Sequence, residues 1–197
     1  MALTPPIINV MSGAARKAAR GLARDFGEVE QLQVSRKGPA DFVSEADRRA
    51  EATLRAELSR ARPGFAMLLE EAGEVAGTEP DQRWIVDPLD GTTNFLHGVP
   101  HFAISIAHES RGELVAGVIY DPLRDETFWA ERGTGAFVNN RRLRVSGRRD
   151  PATALLATGI PFGARPGKAA FLAALVPLMD KAAGVRGSGS AALDLAY

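Results

Sequence analysis

The sequence contains no cysteine, no excess of charge and no long apolar run. Without cysteine, neither a disulfide framework nor a thiolate metal site is possible, so a reducing cytoplasm is permitted. The 24 Lys and Arg balance 24 Asp and Glu, which argues against a general nucleic-acid binder. The longest apolar run, residues 169–179, contains Pro177 and is too short to cross a bilayer. No secretory signal opens the chain. A soluble globular protein, with neither nucleic acid nor membrane as its partner, is therefore expected.

The composition and length predict a single mixed α/β domain over residues 1–197. Hydrophobic residues make up 45% of the chain and charged residues 24%, close to the globular average. A chain of this size can bury roughly 70% of its unfolded surface. Helical periodicity is expected at 6–26 and 44–60, and strands at 31–35, 65–69, 84–86 and in a meander over 102–131. Helices and strands in blocks favour a layered α/β fold.

The C-terminal end lacks a helix stop signal. Ser190 is a good N-cap, yet the helix that it would start ends with the chain at Tyr197. A helix this short is marginal on its own. The pattern predicts that the polypeptide is cut short relative to the fold that its sequence implies. Apolar side chains at Leu193, Leu195 and Tyr197 would then lack packing partners and be exposed. An ordinary frayed terminus is the alternative.

The segment 84–95 carries the strongest chemical signal. An apolar strand delivers Asp87 at its end, Pro88 breaks the hydrogen-bond ladder, and Asp90 can turn toward the same point. Two converging carboxylates require a cation or a proton, and hard oxygen ligands indicate Mg²⁺. The Leu89 carbonyl could serve as a neutral ligand. Gly91 permits close backbone approach, and the residues after it could begin a helical turn whose N–H groups face an anion.

Asp-Pro-Leu-Asp-Gly alone is also an ordinary turn sequence. The chain contains a second copy of its opening at 121–125, where Arg124 takes the place of the second carboxylate. That copy is predicted to be a hairpin turn.

Acidic residues elsewhere in the chain favour a metal site over a simple turn for the first copy. Glu70 follows the strand at 65–69, and if that strand neighbours 84–86, Glu70 lies beside Asp87. Carboxylates from separate strand ends build two-metal phosphoryl sites. Glu70 could instead belong to a solvated acidic loop with Glu71 and Glu74. Asp47 is open to two interpretations, because Ser44 and Asp47 resemble a capping box and a helix-start carboxylate can also reach a site.

Taken together, these motifs resemble the inositol monophosphatase family of Mg²⁺-dependent, lithium-sensitive phosphomonoesterases. The resemblance covers nearly the whole chain and rests on Lys37, 41–47, 70–71, 87–95, 133–140 and 189–191. It implies a layered α/β sandwich of the sugar-phosphatase type, without its C-terminal portion.

The resemblance also implies a role for each matching residue. Glu70, Asp87 and the Leu89 carbonyl would hold a first Mg²⁺, and Asp87 and Asp90 would contribute to a second. Asp47, Thr92 and Glu70 would be catalytic, with the Thr92 hydroxyl, hydrogen-bonded to Asp47, orienting the metal-bound water. Gly91 and Thr92 would bind phosphate through backbone N–H groups. Lys37 matches a mobile loop over the site, and the stretch that contacts the substrate alcohol would be Gly189, Ser190 and Ala191.

Two departures from the family pattern stand out. Leu69 replaces a usual Gly before the acidic pair. Family members also continue beyond the position of Tyr197, through a Trp-Asp motif that completes the second metal site and a Gly-Gly segment. The second metal is therefore expected to lack a carboxylate.

The implied function is hydrolysis of a small phosphate monoester by a metal-activated water in a cytoplasmic homodimer. The expected substrate is inositol monophosphate or a similar polyol phosphate. Nucleotide bisphosphate, fructose bisphosphate and histidinol phosphate are rival substrates, and a non-catalytic or regulatory remnant of the fold is the alternative. His97 and His101 are interpreted as loop residues, and the arginines at 141–144 and 148–149 as a solvated face.

Overall fold

The computed structural model describes residues 4–32, 39–163 and 166–197, with side chains over the same ranges except 30–32 and 39–44. Two long helices come first, α1 (Pro6–Leu32) and α2 (Pro39–Ala61). A sheet follows, built from β1 (Phe65–Leu69), β2 (Gly73–Val75), β3 (Glu79–Asp90), β4 (Ala103–Ser110), β5 (Glu113–Asp121), β6 (Glu126–Glu131), β7 (Gly135–Val138) and β8 (Arg141–Arg142), with α3 (Thr92–Leu96) after β3. The last elements are a 3₁₀ turn (Pro151–Thr153), β9 (Leu155–Ala157), α4 (Lys168–Met179), β10 (Gly184–Arg186) and α5 (Ala191–Ala196).

Both long helices extend beyond their predicted bounds. The apolar stripe of α1 continues through Phe26 to Val29, which is buried, so the predicted strand at 31–35 is wrong for residues 31 and 32. Residues 33–38, including Lys37, lie outside the described residues. The second helix begins at Pro39 rather than Ser44, because proline is well suited to a first helical turn. Asp47 therefore lies inside α2, and the capping-box interpretation is wrong.

The sheet is mostly antiparallel, with one parallel pair at its functional end. Its strand order is β2-β1-β3-β4-β5-β6-β7-β8, and β1 runs parallel to β3. The predicted neighbourhood of these two strands is therefore confirmed, as is the meander of β4, β5 and β6. The turn between β5 and β6 is the second Asp-Pro-Leu copy, in which Asp121 Oδ1 accepts hydrogen bonds from the Leu123 and Arg124 N–H groups.

Side chains alternate between the two faces of the sheet, and helices cover both faces, so the fold has three layers. The helices α1 and α2 cover one face, where Trp84, Ile104 and Val118 are buried with them. The helix α5 covers part of the opposite face, where Leu193 packs with Ala103 and Phe128. This arrangement confirms the layered α/β fold.

The C-terminal elements leave apolar surface exposed. Leu195 is 87% exposed and Tyr197 64% exposed, as predicted, whereas Leu193 is fully buried, contrary to the prediction. The apolar helix α4 lies between the paired parallel strands β9 and β10 in sequence, and none of its side chains is buried. Among the described helices, none combines the length and apolar character needed to span a membrane.

Candidate metal and phosphate site

Strand register places Glu70 beside Asp87. In the parallel pair of β1 and β3, Leu69 is opposite Val86, and the two acids directly follow these partners. The charge of Glu70 is among the causes that raise the pKa of Asp87, so the two carboxyls lie close together. The register thus agrees with the expected approach of these two carboxylates, and their role as metal ligands stays a prediction.

The Asp87 carboxyl lies in surroundings that disfavour its charged form. Burial, the charge and hydrogen bond of Glu70, and then the charge of Asp90 raise the pKa of Asp87 to about 8, against the opposing hydrogen bond from the Leu89 N–H at 3.0 Å. Within the described residues, neither Glu70, Asp87 nor Asp90 forms an ion pair with an Arg or Lys side chain. Converging carboxyls of this kind fit a proton or a divalent cation.

Pro88 interrupts the hydrogen-bond ladder between β3 and β4 without ending β3. β3 continues to Asp90, and its register against β4 shifts between Asp87 and Asp90. The Leu89 side chain is fully buried and anchors this irregular segment. Its carbonyl oxygen accepts a hydrogen bond from the Thr92 hydroxyl at 3.0 Å. A carbonyl oxygen has a second lone pair, so it can still serve as a neutral ligand.

Asp47 belongs to the same acidic group, although its expected partner is different. It is 3% exposed, and its Oδ1 is buried without a hydrogen-bond partner among the residues that the structure describes. The expected bond from the Thr92 hydroxyl is therefore absent at this oxygen, because that hydroxyl turns back to the carbonyl three residues earlier. Burial, followed by the charges of Glu71, Glu70 and Glu51, raises the pKa of Asp47 to about 7, and Arg48 opposes the shift. An unpartnered buried carboxylate oxygen suits a cation.

Glu51 is a site residue that the sequence analysis missed. Its buried carboxylate accepts hydrogen bonds from the N–H groups of Glu71 at 2.8 Å and Ala72 at 3.1 Å. It thereby fixes the turn that follows Glu70. Its position four residues after Asp47 puts both acids on one face of α2, and this spacing is the signal that could have identified it.

The turn after Asp90 can only be made by glycine. Gly91 has φ +96°, and a Cβ atom there would lie 3.0 Å from the His101 carbonyl oxygen. α3 begins directly afterwards at Thr92, and the first N–H groups of a helix have no intrahelical acceptor. The position agrees with the expected role of Gly91 and Thr92 in binding phosphate through backbone N–H groups.

The start of α5 lies against this turn. Asp90 Oδ2 accepts hydrogen bonds from the Ser190 hydroxyl at 2.5 Å and from the Ala192 N–H at 2.8 Å. Ser190 is fully buried and caps α5, with its hydroxyl accepting from the Leu193 N–H. Gly189 lies against the Asn94 side chain and Ala191 is exposed. The structure thus brings the segment 189–192 against Asp90 and Asn94.

The three acids do not form a finished ligand set. Over the parts of the chain that the structure describes, no group of three or more His, Asp and Glu side chains is placed to hold a metal ion. One oxygen of Asp90 is engaged by α5, so a cation bound by Glu70, Asp87 and Asp90 together requires a side chain to shift. His97 is exposed and does not pair with His101, in agreement with the loop interpretation.

The sequence profile described as "Inositol monophosphatase family" matches residues 4–197. The chain belongs to the inositol monophosphatase family. It is therefore a member of a family of phosphoric monoester hydrolases, enzymes that are generally metal-dependent.

Known proteins match almost the whole of this chain in sequence and in structure. The inositol-1-monophosphatase of Mesorhizobium japonicum is 58% identical, over 97% of this chain and 72% of the relative. The crystal structure of the extragenic suppressor protein suhB from Bartonella henselae superimposes with a TM-score of 0.89 at 57% identity, over 98% of this chain and 74% of that one. The Nus factor SuhB of Escherichia coli is 43% identical, over 98% of this chain and 72% of the relative.

Proposed function

We propose that this chain hydrolyses inositol monophosphate or a similar small polyol phosphate, with Mg²⁺ as its cofactor. The observation that carries the proposal is the meeting of Glu70 and Asp87 at two adjacent strand ends, close in sequence to the Gly91 turn. A cation site and an anion site would then be neighbours, which phosphoryl transfer requires. The inositol-1-monophosphatase name of the 58% identical relative supports the choice of substrate.

Glu70, Asp87 and the Leu89 carbonyl would hold the cation. Bound there, Mg²⁺ supplies a more acidic water as nucleophile and neutralises negative charge on the phosphoryl oxygens. Glu70 and the buried Asp47 carboxylate are the groups of this chain that can accept a proton from that water, because both lie in the acidic group around the site. Asp90 would contribute to a second cation through the oxygen that does not bond to α5.

The protein backbone holds the substrate phosphate in this proposal. The N–H groups after Gly91 face the anion, and the Thr92 hydroxyl, bonded to Leu89, stiffens the turn. The segment Gly189, Ser190 and Ala191 would contact the alcohol that leaves, and its bonds to Asp90 next to the Gly91 turn support this role. Positioning the phosphate and the leaving alcohol on one rigid frame is the main contribution of the protein to such a reaction.

The proposal includes the organisation of the molecule. Residues 1–197 form one inositol-monophosphatase-like domain, which acts as a homodimer in the cytoplasm. The family resemblance supports these points, and sedimentation equilibrium of the purified chain tests the dimer.

Phosphate release from inositol 1-phosphate, measured with and without Mg²⁺, tests the function. We expect Mg²⁺-dependent turnover that Asp87→Asn abolishes. Turnover without metal, or undiminished in Asp87→Asn, would contradict the mechanism. A panel with a nucleotide bisphosphate, fructose bisphosphate and histidinol phosphate ranks the rival substrates.

A regulatory role is the second candidate, favoured by the Nus factor name of the 43% identical relative. Calorimetric titration with Mg²⁺ separates the two candidates. One weak site without turnover supports a regulatory or non-catalytic protein, and turnover supports the enzyme.

A further inference from the structure

The Asn94 side chain connects two loops that are distant in sequence. Its amide nitrogen Nδ2 donates hydrogen bonds to the His101 carbonyl at 2.7 Å and to the Ser188 carbonyl at 2.8 Å. An amide nitrogen has two N–H groups, so both donors are in use. One acceptor lies in the loop after α3 and the other in the segment just before α5. Asn94 itself belongs to α3, directly after the Gly91 turn.

The contact with the second loop is as close as a glycine allows. Gly189 has φ +89°, and a Cβ atom there would lie 2.6 Å from Asn94 Oδ1 and 2.7 Å from Nδ2. Any larger residue would force the side chain and the loop apart. The chain therefore has glycine at the place where the loop rests on Asn94.

Asp194 binds the N–H group of Ser188, the residue whose carbonyl accepts the hydrogen bond from Asn94. Its Oδ2 accepts a hydrogen bond from the Ser188 N–H at 3.4 Å, and its Oδ1 lies 3.8 Å from Nε2 of His101. That nitrogen is buried, and no residue within the described ranges forms a hydrogen bond with it. Both the N–H and the carbonyl of Ser188 are thus bound by side chains, and both connections lead to the region of His101.

We infer that Asn94 is a positioning residue for substrate selection, which fixes the loop 188–191 relative to the Gly91 turn. The inference rests on the proposed function, in which the turn binds phosphate and the loop contacts the leaving alcohol. Asn94 acts through the loop, by setting the distance between the two contacts. Hydrolysis of a substrate whose leaving alcohol contacts the loop should depend strongly on this distance. Hydrolysis of a substrate with a flat aryl leaving group should depend on it much less.

Steady-state kinetics with two substrates test the inference. The preference of the enzyme is the ratio of kcat/KM for inositol 1-phosphate to kcat/KM for p-nitrophenyl phosphate. In Asn94→Ala this ratio should fall about tenfold or more, mainly through KM of the inositol substrate, because a displacement of about 1 Å can cost on the order of a hundredfold in rate. Asn94→Asp should lower it at least as far, since its carboxylate would face two carbonyl oxygens.

Asn139→Ala is the matched control. The Asn139 side chain is likewise bonded to the backbone, but as an acceptor, from the Thr127 N–H at 2.9 Å, and it lies at the β7–β8 turn far across the sheet. This variant should lose thermal stability without any change in the substrate ratio. An equal loss for both substrates in Asn94→Ala, no loss at all, or the same ratio change in Asn139→Ala would overturn the inference.

Hydrogen exchange separates this inference from the proposed function. In Asn94→Ala, the amides of residues 188–192 should exchange at least about tenfold faster than in the parent protein, because their anchoring bonds are lost. Unchanged exchange would overturn the positioning role even in an active enzyme. A parent protein that hydrolyses neither substrate would overturn the proposed function and the selection role with it, whereas faster exchange would still identify Asn94 as the loop anchor.

Discussion

The Ser190 hydroxyl donates a hydrogen bond to Asp90 Oδ2 at 2.5 Å, across 100 positions of sequence. The same oxygen accepts the Ala192 N–H, so this carboxylate is well satisfied. Asp87, three residues earlier, is crowded by other carboxyls. Two acids of one motif therefore have opposite effects on stability.

Substitutions of Asp90 and of Asp87 should therefore change the stability of the protein in opposite directions. Asp90→Ala removes two hydrogen bonds to a charged group and should lower the free energy of unfolding by about 2 kcal/mol or more. In chelator at neutral pH, Asp87→Asn should raise the melting temperature, because the unfolded chain then no longer has to take up a proton at this position in order to fold. Thermal melts of both variants beside the parent check this. Equal destabilisation by the two changes would contradict it.

The stability of the chelator-treated protein should decrease with rising pH. The pKa of Asp87 is about 8 in the folded protein against an ordinary 3.8, so folding retains a proton that the unfolded chain releases. Stability from this proton is fully present below about pH 4 and is lost as the pH rises through about 8. Asp47, with a pKa of about 7, acts in the same direction. Melting temperatures from about pH 5 to 9 measure the slope, which Asp87→Asn should flatten. A parent protein that is equally stable across this range would refute the prediction.

Removing the Glu51 carboxylate should weaken the cation site indirectly. Glu51→Ala leaves the N–H groups of Glu71 and Ala72 without their acceptor, at a cost of about 1–3 kcal/mol. Mg²⁺ affinity should fall with it, since the turn after Glu70 loosens. Glu51→Gln retains one amide oxygen and should lie between the parent and Glu51→Ala, both in calorimetric Mg²⁺ affinity and in melting temperature. Parent-like Mg²⁺ binding in Glu51→Ala would show that the turn does not depend on this acid.

Gly91→Ala should be severe for stability and for activity. Its positive φ disfavours any side chain, and the new Cβ would press on the His101 carbonyl at 3.0 Å. A strained residue of this kind costs about 1–3 kcal/mol. Gly98→Ala is a useful control, because Gly98 also has a positive φ but a Cβ atom there meets nothing within 4 Å. It should lose some stability while phosphate release is kept. The site interpretation fails if both variants have the same activity.

The exposed apolar helix α4 should promote self-association. Val176 is 57% exposed and Leu178 48% exposed. Replacing both by Lys should shift the chain toward smaller species in sedimentation velocity, because contiguous apolar patches drive association. Arg148→Lys, on an exposed polar segment, is the control. Unchanged sedimentation of the double variant would show that α4 does not mediate the association.

Local patterns predicted the parts of the fold in which neighbours in sequence are also neighbours in space. The apolar run at 65–69 is a strand in the structure, and the hairpin at 121–125 forms its predicted turn. The pairing of Glu70 with Asp87 could be predicted because parallel strands align their carboxyl ends. Helix ends were less predictable, since Ser44 offered a local start signal whereas α2 begins five residues earlier, at Pro39.

Long-range contacts could not be derived from the sequence. The bond between Asn94 and Ser188 joins residues 94 positions apart, and no periodicity reports it. The Thr92 hydroxyl was expected to bond to Asp47, and it donates instead to the Leu89 carbonyl three residues earlier. Both outcomes depend on how separate segments pack, which local propensity does not encode.

The two outermost strands of the eight-stranded sheet are very short. β2 has three residues and β8 has two, so each margin offers few free peptide groups to an incoming strand. Recruitment of further chains into a fibrillar ladder is thereby discouraged. If the protein precipitates on storage, the deposits should be amorphous and should fail to bind an amyloid dye.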